Sequence, residues 1–172
     1  MAELINRVAA SKLQTLAIDS LSPPVEAMAF DLADYLWQGL ALRERDFRAA
    51  LKDFDWTVAQ GRLVCVFCSA DAIVPRWAYM LVTAQAANHA TDVFAGTVEE
   101  ADQHFLLRAA EALDLEPYRD VPVVVKGCAG GRDPGAQVYT RLTFRLRGVA
   151  SSIMYGEPCS TVPIWRQPRE RK

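Results

Sequence analysis

From Arg62 onward the chain alternates two hydrophobic periods. Short apolar runs at 62–67, 91–95, 121–127 and 151–155 have the length and β-branched content of buried strands. Between them, 75–89, 98–113 and 135–148 carry apolar residues three and four apart, the spacing of amphipathic helices. Trp77, Met80, Leu81, Ala84 and Ala87 share one stripe of the first helix, and Val138, Leu142, Leu146 and Val149 share one stripe of the last. Helix starts are marked by Pro75, by Thr97 with Glu100 as a capping box, and by Asp133 followed by Pro134. Every strand-to-strand connection exceeds twenty residues and contains a helix, as a parallel crossover requires. The pattern therefore predicts an α/β fold: a three-layer, mainly parallel sheet of order 2-1-3-4 over 62–155, with helices on both faces.

Before Gly61 the pattern is less regular. Leu13–Ile18 and Val25–Leu32 read as short strands around a Ser22-Pro23-Pro24 turn, and Arg43–Phe54 as a helix with Phe47, Leu51 and Phe54 on one stripe. These residues, 1–60, are expected to form an N-terminal α+β extension, a lid or an edge. No repeat, low-complexity tract or long linker is evident, so 1–172 reads as a single domain, with an α/β core at 61–165 and a basic tail at 166–172.

Composition narrows the function. With 51% apolar residues the chain can bury its own core, and a net charge of −2 gives no basic field for a nucleic-acid backbone. Glu3 and Arg7 interrupt any leader-like apolar run, and no stretch approaches the roughly 20 residues of a membrane span. A soluble, cytoplasmic protein is expected, with no nucleic-acid or membrane partner and with its four cysteines held as thiols or metal ligands.

Three of those cysteines, Cys68, Cys128 and Cys159, fall just past predicted strand ends. In open parallel sheets ligands bind beyond the carboxyl ends of the strands, and the order 2-1-3-4 would make these three strands neighbours. Converging thiolates, with Asp71 or Glu157 as fourth ligand or proton carrier, would hold zinc with one exchangeable position or an iron–sulfur cluster. Lys126 and Gly127 precede Cys128 and would bring charge and close backbone approach to a bound group. Cys65 and Cys68 spell C-x-x-C, but residues three apart on a strand face opposite ways, so Cys65 is expected in the core. The competing reading makes the thiols small apolar fillers, or a reactive thiol without metal. His89 and His104 fall on helices away from this rim. The run Gly130-Gly131-Arg132-Asp133-Pro134 leads into a helix and would suit an anion, but it matches neither the P-loop nor the dinucleotide fingerprint.

The segments Leu42–Arg48, Cys68–Leu81, Glu116–Asp120, Lys126–Cys128 and Ser152–Pro163 resemble DUF2480, a bacterial family of uncharacterised proteins, over nearly the full length. The resemblance implies no activity, substrate or cofactor. The family pattern includes Cys68, Cys128 and Cys159 and leaves Cys65 out. Two functions follow from the residues: a metal-dependent enzyme or small-molecule binder built on the three thiols, or a non-catalytic homodimeric module using residues 1–60 and Tyr35, Trp37 and Trp56.

Overall fold

The computed structural model describes residues 12–22, 24, 26–127 and 132–168. Cys128, Gly130, Gly131, the leader positions Glu3 and Arg7 and the end of the basic tail lie outside them. The order is β1 (Gln14–Ala17), β2 (Ala27–Asp31), α1 (Glu44–Asp53), β3 (Leu63–Phe67), α2 (Arg76–Ala86), β4 (Asp92–Ala95), α3 (Val98–Ala112), β5 (Pro122–Lys126), α4 (Gly135–Leu146), β6 (Ser152–Glu157) and β7 (Ser160–Arg166). This is an α/β fold, with strands and helices where the two periods place them. The capping box forms: Thr97 N–H donates to Glu100 Oε2 (2.8 Å) and Glu100 N–H to Thr97 Oγ1 (3.2 Å). Among the described residues no helix is long and apolar enough to cross a membrane.

The single sheet of order 2-1-3-4 does not form. The strands divide between a parallel three-stranded sheet, β2-β3-β4, and a four-stranded sheet, β1-β5-β6-β7, in which only β7 is antiparallel. The extension accounts for the difference. β2 takes the edge of β3 (Ala27 opposite Leu63) and β1 takes the edge of β5 (Gln14 opposite Val123), so neither central strand has an edge left for the other. Their near-continuous apolar sequences, Leu-Val-Cys-Val-Phe and Pro-Val-Val-Val-Lys, are those of fully paired parallel strands. The sheets belong to two compact units. One is Pro24–Asp102; the other joins the described residues before Pro24 to those from Gln103 onward, so the seam falls inside α3 rather than near Gly61.

In each unit two helices pack against one face of the sheet. Val64 and Val66 of β3 pack with Phe47 and Leu51 of α1 and Ala78, Val82 and Ala86 of α2. Val123 and Val125 of β5 pack with Leu106 and Ala110 of α3 and Val138, Leu142 and Leu146 of α4. The stripe expected on α2 is rotated: Ala78, Val82 and Ala86 are buried, whereas Met80 is 71% exposed. Trp56, expected at an interface, is buried, its indole N–H donating to Leu51 O (2.9 Å).

The units are two copies of one design, a repeat the bare sequence does not display. At a spacing of 59 residues, Phe47 and Leu51 correspond to Leu106 and Ala110, all buried. Asp55 and Asp114 each accept a hydrogen bond from the N–H two positions on (3.0 and 3.1 Å). Gly61 and Asp120 both take positive φ (74° and 58°), and their N–H groups donate to the carbonyls of His89 and Val149 (3.1 and 2.9 Å). From the following helices the spacing becomes 60: Ala78, Val82 and Ala86 match Val138, Leu142 and Leu146, and Gly96 matches Gly156, both at positive φ. β1 and β2 correspond as well, each running directly into a single 3-10 turn whose first residue, Ile18 or Leu32, is fully buried.

Candidate functional site

β5 and β6 end side by side, Val125 opposite Tyr155, on the sheet face that carries the helices. The alternation that buries Val123 and Val125 also turns Tyr155 toward α4, one turn into which stands Tyr139. The two rings meet edge to face, with centroids 5.6 Å apart at 87°. Together with Val125, Thr143, Ile153, Met154 and Ile164 they enclose an apolar pocket of about 310 Å³. Gly127 follows β5 directly. A Cβ there would lie 3.1 Å from the Tyr139 hydroxyl and 3.4 Å from the Tyr155 hydroxyl, so both phenols converge on bare backbone. At the strand ends Lys126 Nζ pairs with Glu157 Oε1 at 3.0 Å, both side chains about half exposed. Such an exposed pair contributes at most about 1 kcal/mol, but it commits the Glu157 carboxylate to a cation.

The described residues expected from sequence are divided between the two units. Cys68 follows β3 in the unit Pro24–Asp102, whereas Cys159 lies in the β6–β7 turn of the other unit. The argument from a common sheet rim is therefore corrected, because β3 and β5 do not share a sheet. Cys128 falls outside the described residues. Among the described residues no group of three His, Cys, Asp or Glu side chains is placed to hold a metal ion. Cys65 is fully buried, and burial, with a smaller effect of Glu99, pushes its thiol up to about 11, as expected of an inert core cysteine. Cys68 is half-buried, its thiol directed at Ala70 O (3.5 Å). Asp71 is exposed in the same loop, and Cys159 is exposed.

Asp31 organises that loop, and sequence reading passed over it. It ends β2, and its Oδ1 accepts from Ala33 N–H (2.9 Å) and from Ser69 N–H (3.0 Å), tying the residue after Cys68 to the strand beside it. Burial alone would raise its pKa. The hydrogen bonds from the Ser69 hydroxyl and the two N–H groups outweigh burial and hold the carboxyl below its ordinary value. The tyrosine pair was also missed. Its only signal was the recurrence of Tyr79 and Thr83 as Tyr139 and Thr143, 60 residues on, in helices that follow matching strands. The copy in the other unit is incomplete, because Ala95 stands where Tyr155 does and Phe67 where Lys126 does. One arm of the duplication thus has the paired phenols and the other does not.

The chain belongs to the family described as protein of unknown function (DUF2480), whose pattern matches residues 2–167. Neither the comparison with curated proteins nor that with solved structures returned a match.

Proposed function

We propose that this member of the DUF2480 family binds a small, largely apolar ring compound bearing one hydrogen-bonding oxygen, in the pocket between β5, β6 and α4. The observation that carries the reading is the convergence of the Tyr139 and Tyr155 hydroxyls on Gly127 beside an apolar pocket that both residues line. Apolar walls with a few convergent polar groups are the general form of a small-ligand site, and the carboxyl end of a parallel sheet is its usual place. A phenol both donates and accepts, so the pair suits a carbonyl or hydroxyl oxygen. Gly127 keeps the approach open, since a side chain there would occupy the space in front of both hydroxyls. The volume, near the lower end of the range for ligand pockets, restricts the occupant to one or two rings.

The energetics set the scale of the test. Burying about 120 Å² of ring at about 25 cal/mol per Å² contributes about 3 kcal/mol, and one net hydrogen bond adds about 1 kcal/mol. Their sum corresponds to a Kd of about 1 mM for a fragment, within reach of methyl-detected NMR. Titration with acetophenone is expected to shift the methyl signals of Thr143, Ile153 and Ile164. Toluene should bind about fivefold more weakly, and Tyr155→Ala should abolish both sets of shifts. If those methyls stay still, or if Tyr155→Ala leaves the shifts unchanged, the reading is wrong. In this account Cys65 is a core filler and Cys159 a surface thiol.

A further inference from the structure

We infer that the same unit carries a second, chemically different site, a cleft for an aliphatic chain with a carboxylate at each end, at the amino-terminal end of the four-stranded sheet. The cleft is larger than the tyrosine pocket, about 700 Å³, and extends from it toward the amino-terminal ends of β5 and β6, the two sharing Ile153, Met154 and Ile164. Pro122 and Ser152 open β5 and β6, Lys12 and Leu13 precede β1, and Arg166 closes β7, which runs the other way. Register aligns these residues in a row: Pro122 stands opposite Ser152, and Ser152 opposite Arg166. One step further along the strands Val124 stands opposite Met154, and Met154 opposite Pro163. Both rows alternate with Val123, Val125 and Ile153, which face the helices, so most of the lining projects from the other face of the sheet.

The charge distribution selects the ligand. The floor is apolar, formed chiefly by Pro122, Met154, Pro163 and Ile164, and no Asp or Glu is among the described residues that line it. Its two cations, Lys12 and Arg166, stand on opposite sides, one before β1 and one at the end of β7, and neither has a carboxylate partner among the described residues. With three inter-strand steps of about 4.8 Å between them, the strands that carry them lie about 14 Å apart, the length of an extended chain of about ten to twelve carbons. An apolar trough with a cation at each end complements a chain that is apolar in the middle and anionic at both ends. Arg166 offers a bidentate fork to one carboxylate, Lys12 a point charge to the other, and the Ser152 hydroxyl adds a donor along the row.

Calorimetric titration of the full chain with dodecanedioate, dodecanoate and 1,12-dodecanediol tests the assignment. The diacid is expected to bind at least fivefold more tightly than the monoacid, and the diol at least tenfold more weakly than the diacid. Lys12→Gln and Arg166→Gln change exposed side chains outside both cores, so each variant should melt like the parent protein. Each single change should bring the diacid down to the affinity of the monoacid, and the double change should erase the difference between the diacid and the diol. The tyrosine-pocket response to acetophenone should persist in the double variant, which separates this site from the first. Equal affinity for diacid and monoacid, diacid affinity unchanged by the two substitutions, or no diacid binding at all would each overturn the inference.

Discussion

Asp31 shows how one carboxylate can fix the geometry of a loop 38 positions away in sequence, since a single oxygen receives the N–H groups of both Ala33 and Ser69. Hydrogen bonds from backbone N–H to a carboxylate contribute roughly 0.5–2 kcal/mol, so Asp31→Ala is expected to cost about 1–2 kcal/mol in urea unfolding at pH 7. The pH dependence has a definite sign. Because the folded-state pKa is lowered, the contribution is fully present above the unfolded-state value near 3.8 and is lost as pH falls through the folded-state value. The difference between parent and variant should therefore be constant from pH 5 to 8 and shrink toward pH 2.5. A difference that grew on acidification would remove the hydrogen bonds as its cause. At this scale the sequence was partly legible. Strand parity alone assigned Cys65 to the interior. Asp31 gave no signal because its partner comes from another strand end, and the pairing of β2 with β3 could not be read from either segment by itself.

Elements were the most legible scale, because 3.6- and 2-residue periods record local geometry that tertiary context seldom overturns. The exception is β7. Its Pro163 argues against a strand, yet an edge strand tolerates a residue with no N–H, and the bulge between Ile153 and Met154 accommodates it. β7 depends on the reversal that begins at Gly156, whose φ of 124° lies where side chains are disfavoured. A Cβ there would sit 2.6 Å from Ser160 O, a backbone atom of the very strand being paired. Gly96, its counterpart in the other unit, would meet Phe94 Cε1 at 2.6 Å and Glu100 Oε2 at 2.7 Å, both of them side-chain atoms that can move aside. Gly156→Ala is thus expected to cost about 3–4 kcal/mol, and Gly96→Ala about 1–2 kcal/mol, much of the latter through the Thr97–Glu100 capping box. Equal losses in thermal melts of the two variants would show that backbone and side-chain obstruction are not distinguished as argued.

For the molecule as a whole, a duplication is hidden by its own irregularity. The spacing changes from 59 to 60 between strand and helix, and along the later half the matching residues thin to Cys68 and Cys128, Tyr79 and Tyr139, Thr83 and Thr143, Ala90 and Ala150, and Gly96 and Gly156. The copies are also interleaved, with the edge strands β1 and β2 both placed before either core, so crossover lengths alone suggested one sheet where there are two. That interleaving has a kinetic consequence. Ala27 pairs with Leu63 across 36 positions inside a continuous unit, whereas Gln14 must reach Val123 across 109, with the whole of the other unit in the loop. Closing the longer loop costs about 1 kcal/mol more in chain entropy, about a fivefold slower approach if the two pairings are otherwise alike. Pulse-labelled hydrogen exchange during refolding is expected to show protection of Val64–Val66 before Val123–Val125. Shortening the longer separation by deletion would remove an entire unit, so the control is a core substitution. Leu142→Ala, confined to the core of the four-stranded sheet, should lower the final protection of Val123–Val125 while leaving the early protection of Val64–Val66 in place. Simultaneous protection of both strands in the parent protein would mean that the two units fold as one cooperative body and that the interleaved order carries no kinetic penalty.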